Sequence, residues 1–450
     1  MIALVEASSY FQLASLAAMA DAGLLPAADE RILVLANGSQ VPELTTPLQD
    51  APGFEQLAAR FDRVVDYAQL MAPRRPAQFN PREDELLVFE RLLRDAWDLD
   101  DERLVLVLES IQVNPSQALA RIFFDAEIWV HSDGLMSYGP TRNRLAMPLR
   151  QRITRTLHVD LVPGLEPALL AELNPLREVL PASALAAVFE QLAAQAALEL
   201  PQGAALVLGQ YLGSLGLLDA EEEFELHLQM LREVGHAGLG TVLFKAHPSA
   251  SPTAAVRLAQ AAADLGLEFR LLRTDHLAET VIALARPQLV VSCFSTGLAT
   301  ARYILGIEVR AVGTGMMLQT LAPYENSNRI PLSIIHALFV QDLPVPRDSG
   351  IPAGEDMLSR LLAAVSFCMQ SARVPHLREQ ASAFLDEHYA EYSVHFKRRR
   401  ITKLGLPPRW AHLPTRRSLP SKVRGASRQV LRRGSKGLDS LSKSLSRLAQ

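Results

Sequence analysis

The sequence predicts an α/β protein: two tandem Rossmann-like, doubly wound parallel-sheet domains followed by a basic tail. Three observations predict it. Short runs of Val, Ile and Leu alternate with helical stretches of about a dozen residues, as in parallel sheets with crossover helices. The alternation breaks at Pro201-Gln202-Gly203 and restarts at Ala204. The 450 residues leave room for two domains at roughly 100–200 residues each. The expected divisions are residues 1–200, 201–395 and 396–450.

The elements follow from hydrophobic period and punctuation. Ile2–Ala7 reads as a first strand, and Ser8 or Ser9 can cap a helix over Phe11–Ala22. Strands follow at Arg31–Gly38 and Asp62–Ala68, a helix at Asp84–Trp97, a strand at Arg103–Ser110 and a helix at Pro115–Phe124. A strand from Ile128 runs into Asp133. Arg142–Pro175 shows no clear period, and Ala182–Leu198 reads as a helix. In the second half, strands are expected at Ala204–Leu212, Thr241–Ala246, Leu267–Leu272, Gln288–Phe294 and Ile307–Gly313. Helices at Glu221–Val234, Pro252–Leu265, His276–Ala285 and from Ser295 to Leu305 separate them. Two long helices, Ala353–Gln370 and His376–Ala390, close the folded body.

The net charge of −4 hides an asymmetry. From Lys397 onward, sixteen Lys and Arg stand against one acid, Asp439, so the tail carries +15 and the rest −19. Cys293 and Cys368 are too few and too far apart for a disulfide framework, which points to a reducing compartment. The first residues carry Glu6 within an apolar run and no basic start, unlike a signal peptide. No uninterrupted apolar run approaches the roughly 18 residues of a transmembrane helix. The expected location is the cytoplasm, peripheral on the inner face of the cell membrane.

Three strand-end features can carry chemistry. Asp133-Gly134 follows an apolar strand, where open α/β sheets place ligands, and Gly134 lets a substrate approach the backbone. Taken alone it is also common turn chemistry. His247-Pro248 follows the strand ending in Lys245, which lies on the same strand face as His247. An exposed loop histidine is the alternative reading there. Ser295, Thr296 and Gly297 sit at a helix start, where free N–H groups and two hydroxyls suit a phosphate. An ordinary helix cap is the alternative. No Walker, GxGxxG, HExxH or paired-cysteine metal pattern occurs.

Together, and in this order, these features resemble the motif set of bacterial sialyltransferases, specifically the alpha-2,8-polysialyltransferase family. The contexts are HSDGLMSYGPTR (His131 to Arg142), LGQYL around Gln210, FKAHPSA (Phe244 to Ala250) and FSTGLATA (Phe294 to Ala301). The resemblance spans roughly residues 1 to 395. It implies a GT-B-like fold with an acceptor-side first domain and a nucleotide-sugar-binding second domain. It also implies inverting transfer of sialic acid, or a related CMP-activated sugar, to a hydroxyl of a surface glycan, without metal or cofactor. Asp133 would be the base and His247 would face the departing CMP phosphate. Gly134, Gln210, Lys245, Pro248, Ser295, Thr296 and Gly297 would contact substrate. One departure is visible: the wider pattern has two acids before the glycine, and here the first is Ser132. The alternative is a catalytically silent GT-B-like protein that binds a nucleotide or glycan and recruits a polysaccharide biosynthesis complex.

The chemistry suits the residues independently. Breaking a glycosyl–phosphate bond builds positive charge on the sugar and negative charge on the phosphate. A carboxylate on one wall and cationic or hydroxyl groups on the other match that polarity. In the tail, Leu431, Leu438, Leu441, Leu445 and Leu448 fall on one helical face among basic residues. That pattern suits an anionic membrane surface; a protein partner is the second reading and nucleic acid the least favoured.

Overall fold

The computed structural model describes residues 1–37, 46–210, 212–213, 216–246 and 252–409. His247, Pro248 and the leucine-bearing part of the tail therefore lie outside the described residues. Among those described, the strands form two parallel sheets, one of seven strands and one of five.

The first sheet comprises β1 (Ile2–Ala7), β2 (Glu30–Leu35), β3 (Arg63–Asp66), β4 (Leu104–Glu109), β5 (Glu127–Ser132), β6 (Ile153–Val159) and β7 (Leu176–Leu180), in the order β3-β2-β1-β4-β5-β6-β7. β1 is central and buried along its whole length. Its residues alternate between two cores: Ala3, Val5 and Ala7 pack in one, Ile2 and Leu4 in the other. A one-residue slip would exchange these faces, so the register is fixed. Helix α1 (Tyr10–Asp21) starts at Ser9, whose Oγ accepts the Gln12 N–H at 3.2 Å. Helices α2 (Leu86–Ala96) and α3 (Ser116–Ile122) follow.

Two strands lie where no clear period was expected or just beyond it. β6 falls inside Arg142–Pro175 and β7 immediately after it. Both are near the sheet edge, and β7 is largely exposed. Their polar side chains, including the Arg155–Glu178 pair at 2.5 Å, hide the apolar signal that buried strands give.

Helix α4 (Ala182–Ala194) leads into the second sheet: β8 (Ala205–Leu208), β9 (Thr241–Lys245), β10 (Glu268–Leu272), β11 (Leu289–Ser292) and β12 (Glu308–Ala311), ordered β10-β9-β8-β11-β12. Between them run α5 (Ala220–His236), opened by an Asp219–Glu222 capping box, α6 (Pro252–Asp264), α7 (Ala278–Ala285) and α8 (Thr296–Ala299). α8 continues as a π turn over Thr300–Ile304. In both sheets the strand order reverses beside the first strand, which opens a crevice at the carboxyl ends.

The chain after β12 holds more structure than its sequence suggested. α9 (Thr314–Thr320) and α10 (Arg329–Phe339) precede α11 (Met357–Gln370) and α12 (Arg378–Tyr392). The fully buried Arg329 ties this region together. Its guanidinium donates to the carbonyls of Tyr324 (2.9 Å), Leu321 (3.0 Å) and Leu318 (3.3 Å), and lies over the Tyr324 ring. A cation suits the carbonyl-rich end of α9.

Residues 396–406, assigned to the tail from sequence, instead pack on the body. Phe396, Ile401 and Leu406 are buried, and a last helix, α13 (Arg398–Leu404), docks there. Lys397 donates to the Leu321 carbonyl, and Arg400 donates to the Cys368 carbonyl and pairs with Glu325. Part of the KRRR cluster thus serves the fold by satisfying buried carbonyls. No helix among the described residues is long and apolar enough to cross a membrane.

Candidate active site

The first wall is built by the carboxyl ends of three adjacent strands. β5 delivers Asp133 just beyond Ser132, and β4 ends in Glu109 beside it. β1 supplies Glu6, which is fully buried. Glu6 accepts hydrogen bonds from the Ser8 hydroxyl, the Glu109 N–H at 3.0 Å and the Ser116 hydroxyl at 2.9 Å. The Glu6 carbonyl also bonds His131 Nε2 at 2.9 Å. Burial drives the His131 imidazole down to about 4, so it is neutral and structural.

Asp133 is partly accessible in the cleft. Burial pushes its carboxyl up to about 6, and the Glu6 charge adds to that. Glu109 is held well above the ordinary carboxylate range by burial first, then by Glu6 and Asp133, with Arg142 opposing. A carboxyl that titrates near neutrality is suited to general-base work. Immediately after Glu109 the backbone is strained. Ser110 (φ 52) and Ile111 (φ 54) are both left-handed, a conformation costing about 1–3 kcal/mol for each non-glycine residue. Gln112 fixes this loop, its Oε1 accepting the Arg142 N–H at 2.7 Å.

The second wall comes from the other sheet. Ser295 caps α8, its Oγ accepting the Gly297 N–H at 3.1 Å. The expected cap role is therefore present, and Thr296 is the hydroxyl that reaches the cleft. Gly297 permits close packing: a Cβ there would lie 2.8 Å from Leu208 Cδ1 and 3.6 Å from Glu279 Oε1. Gln210 ties two strand ends together. Its N–H donates to neutral His227 at 3.3 Å, and its Oε1 accepts the Phe294 N–H at 3.2 Å. Lys245 donates to the Thr274 carbonyl at 3.1 Å. Burial lowers its pKa, while Glu279 and Asp275 oppose that. Glu279 is itself buried, which pushes its carboxyl up to about 7.

The two walls meet. The Cβ position of Gly134 lies 3.9 Å from Thr296 Oγ1. Asp133, Gly134, Glu109, Arg142, Phe294 and Thr296 line one cavity of about 470 Å³. A second cavity, about 630 Å³, adjoins it at Pro140 and is walled by Thr141, Arg144, Arg150, Arg177 and Arg373. Glu6, Glu109, Arg142 and Glu279 were not singled out from sequence. The one available signal was an acid near the end of an apolar strand, in IALVEA and LVLVLE. Among the described residues, no three His, Cys, Asp or Glu side chains are grouped to hold a metal ion.

A family model described as Alpha-2,8-polysialyltransferase (POLYST) matches residues 3–313. No curated protein matches the sequence. Solved structures with low similarity include the GT-B domain of a sialyltransferase from Photobacterium damselae (13% identity, 75% of this chain and 96% of that chain, TM-score 0.39). An E. coli heptosyltransferase WaaC with ADP-2-deoxy-2-fluoro heptose gives 14% identity, 69% and 88% coverage, and a TM-score of 0.37. Acinetobacter baumannii MurG gives 10% identity, 84% and 95% coverage, and a TM-score of 0.39.

Proposed function

The chain belongs to the alpha-2,8-polysialyltransferase family, and from that premise we propose that it transfers sialic acid, or a related sugar, from a CMP-sugar to a hydroxyl of a glycan acceptor with inversion. The observation that carries this reading is the meeting of Asp133-Gly134 with Thr296 across one cavity. Asp133 takes the proton from the acceptor hydroxyl as that oxygen bonds to the anomeric carbon. The glycosyl–phosphate bond breaks, and its electron pair leaves on the phosphate. Thr296 donates its hydroxyl to the phosphate, while Ser295 shapes the turn that presents it. Lys245 contributes positive charge behind that wall, and His247, carried over from the family motif, faces the same phosphate. The adjoining arginine-walled cavity takes the acceptor chain. No step requires a metal ion in this scheme. The basic tail beyond the body holds the enzyme at an anionic membrane, close to a surface-polysaccharide acceptor.

A silent binding protein is the competing reading, motivated by Ser132 where the wider pattern has an acid. CMP release from CMP-sialic acid, measured with and without a sialylated oligosaccharide, separates the two. Acceptor-dependent release supports transfer. CMP-sugar binding without release under any acceptor supports the silent reading.

A further inference from the structure

One cation of the cleft has its backbone fixed and its head group unused. Arg142 lines the same cavity of about 470 Å³ as Asp133. Among the described residues its guanidinium makes no hydrogen bond, ion pair or ring contact, and Glu109 feels it only at a distance. Other arginines of this domain are engaged: Arg152 donates to the Ala120, Phe123 and Ala126 carbonyls, Arg155 pairs with Glu178, and Arg177 pairs with Glu166. The segment that carries Arg142 is held from both sides. Buried Gln112 accepts the Arg142 N–H at 2.7 Å and the Asn143 N–H at 3.4 Å, and its carbonyl accepts Asn143 Nδ2 at 2.8 Å. Thr141 Oγ1 accepts the Leu170 N–H at 2.9 Å and donates to Glu172 at 3.0 Å. Gln112 in turn follows the left-handed Ser110 and Ile111. Strain of this kind persists only where surrounding structure imposes it, and it gathers at functional sites. A donor on so fixed a backbone loses little freedom when an anion arrives.

We propose that Arg142 is the specificity-determining residue of the acceptor site: its guanidinium takes the carboxylate of the acceptor's terminal sugar, so that an acidic sugar presents its hydroxyl to Asp133 and a neutral one does not. A planar guanidinium offers two parallel N–H donors that match the two oxygens of a carboxylate. An acidic sugar entering a cavity lined by Glu109 and Asp133 needs a cation beside them, and Arg142 is placed to supply it. A neutral sugar leaves that cation unpaired, and a site built to bond one group rejects the analogue that lacks it. The donor sugar of the scheme above carries a carboxylate too. Arg142 belongs with the Asp133 wall, across from the hydroxyl of Thr296 that is assigned to the donor phosphate, which favours the acceptor as the source.

The inference rests on the proposed transfer for what enters the cavity, but its test needs no turnover. Calorimetry on the full chain with CMP present compares a short sialylated oligosaccharide with the same oligosaccharide whose terminal carboxylate is converted to a carboxamide. The native protein should bind the carboxylate form about tenfold or more tightly. Arg142→Gln should bind both forms equally, with its affinity for CMP-sialic acid unchanged. Arg142→Lys keeps the charge without the fork, so it should retain part of the preference. The readout is a ratio between two ligands, and a general loss of fold, which weakens both alike, does not imitate it. The proposal is overturned if the native protein binds neither form or does not distinguish them, or if Arg142→Gln keeps the preference. It is also overturned if only CMP-sialic acid binding weakens, the outcome for a donor carboxylate. Failure of Asp133 as the base appears elsewhere, as a fully active Asp133→Asn variant, and leaves these affinities as they are.

Discussion

Asp133→Asn should make the protein slower and more stable at once. Burial holds the Asp133 carboxyl near 6, against an ordinary value of 3.8. At about 1.4 kcal/mol for each tenfold change in proton affinity, that gap amounts to about 3 kcal/mol at most. The carboxyl is partly open to the cleft, so solvent reduces the figure to about 1–2 kcal/mol. The sign follows from which state holds the proton. Below pH 3.8 folded and unfolded chains are both protonated and no penalty exists. Between there and about 6 the unfolded chain ionises first, so stability falls as pH rises; above about 6 the penalty is complete. Asparagine removes the charge, so the variant should gain its full margin at neutral pH and lose that margin as the pH falls toward 4. Turnover should drop by about 10²–10⁴-fold, the usual worth of a general base, with CMP affinity little changed. Urea denaturation of native and variant protein at both pH values measures the stability term. A variant no more stable than native at neutral pH would refute the desolvated-base argument. So would a gain of equal size at both pH values.

Other consequences can be checked with standard assays. Thr296→Val with Ser295→Ala should weaken CMP binding by about 1–3 kcal/mol in calorimetry; losing the Ser295 cap should separately cost about 1 kcal/mol of stability. Arg329→Met removes the donor of the Tyr324 and Leu318 carbonyls and leaves Leu321 to Lys397, so at about 1 kcal/mol or more apiece denaturation should show a loss of at least about 2 kcal/mol. Truncation after Arg409 should leave the folded body intact but release the protein from anionic vesicles in co-sedimentation. Truncation before Lys397 should instead lower the melting temperature, because it removes buried Ile401 and Leu406.

The sequence made the strands and crossover helices legible where burial is two-sided. β1, β4, β8 and β11 are apolar runs because parallel strands are covered on both faces. β7 was not legible, since Arg177 and Glu178 on an exposed edge read as loop. Nor were α9 and α10, whose organiser is a buried arginine bonded to carbonyls that no local pattern announces. The candidate site divided similarly. Asp133, Gly134 and Thr296 stand out because turn and cap chemistry marks strand ends. Glu6 and Glu109 are 103 residues apart in sequence, and only the pairing of β1 with β4 brings them together. Glu279 lies in the first turn of the apolar helix α7, and only the fold brings it against Gly297. Gln210, expected to contact substrate, hydrogen-bonds His227 and the Phe294 N–H, partners far from it in sequence.

One of the two cores runs without a break from the first sheet into the second. Val5 and Leu33 share it with α4, then with Val207 and Val290, and finally with the helices near residues 332–385. The cleft is therefore cut into a body whose two sheets share one continuous core, an arrangement that favours cooperative melting. Heat should melt the molecule in one calorimetric step. Damage near the phosphate wall would then be felt as lost order around Asp133, some distance from the lesion.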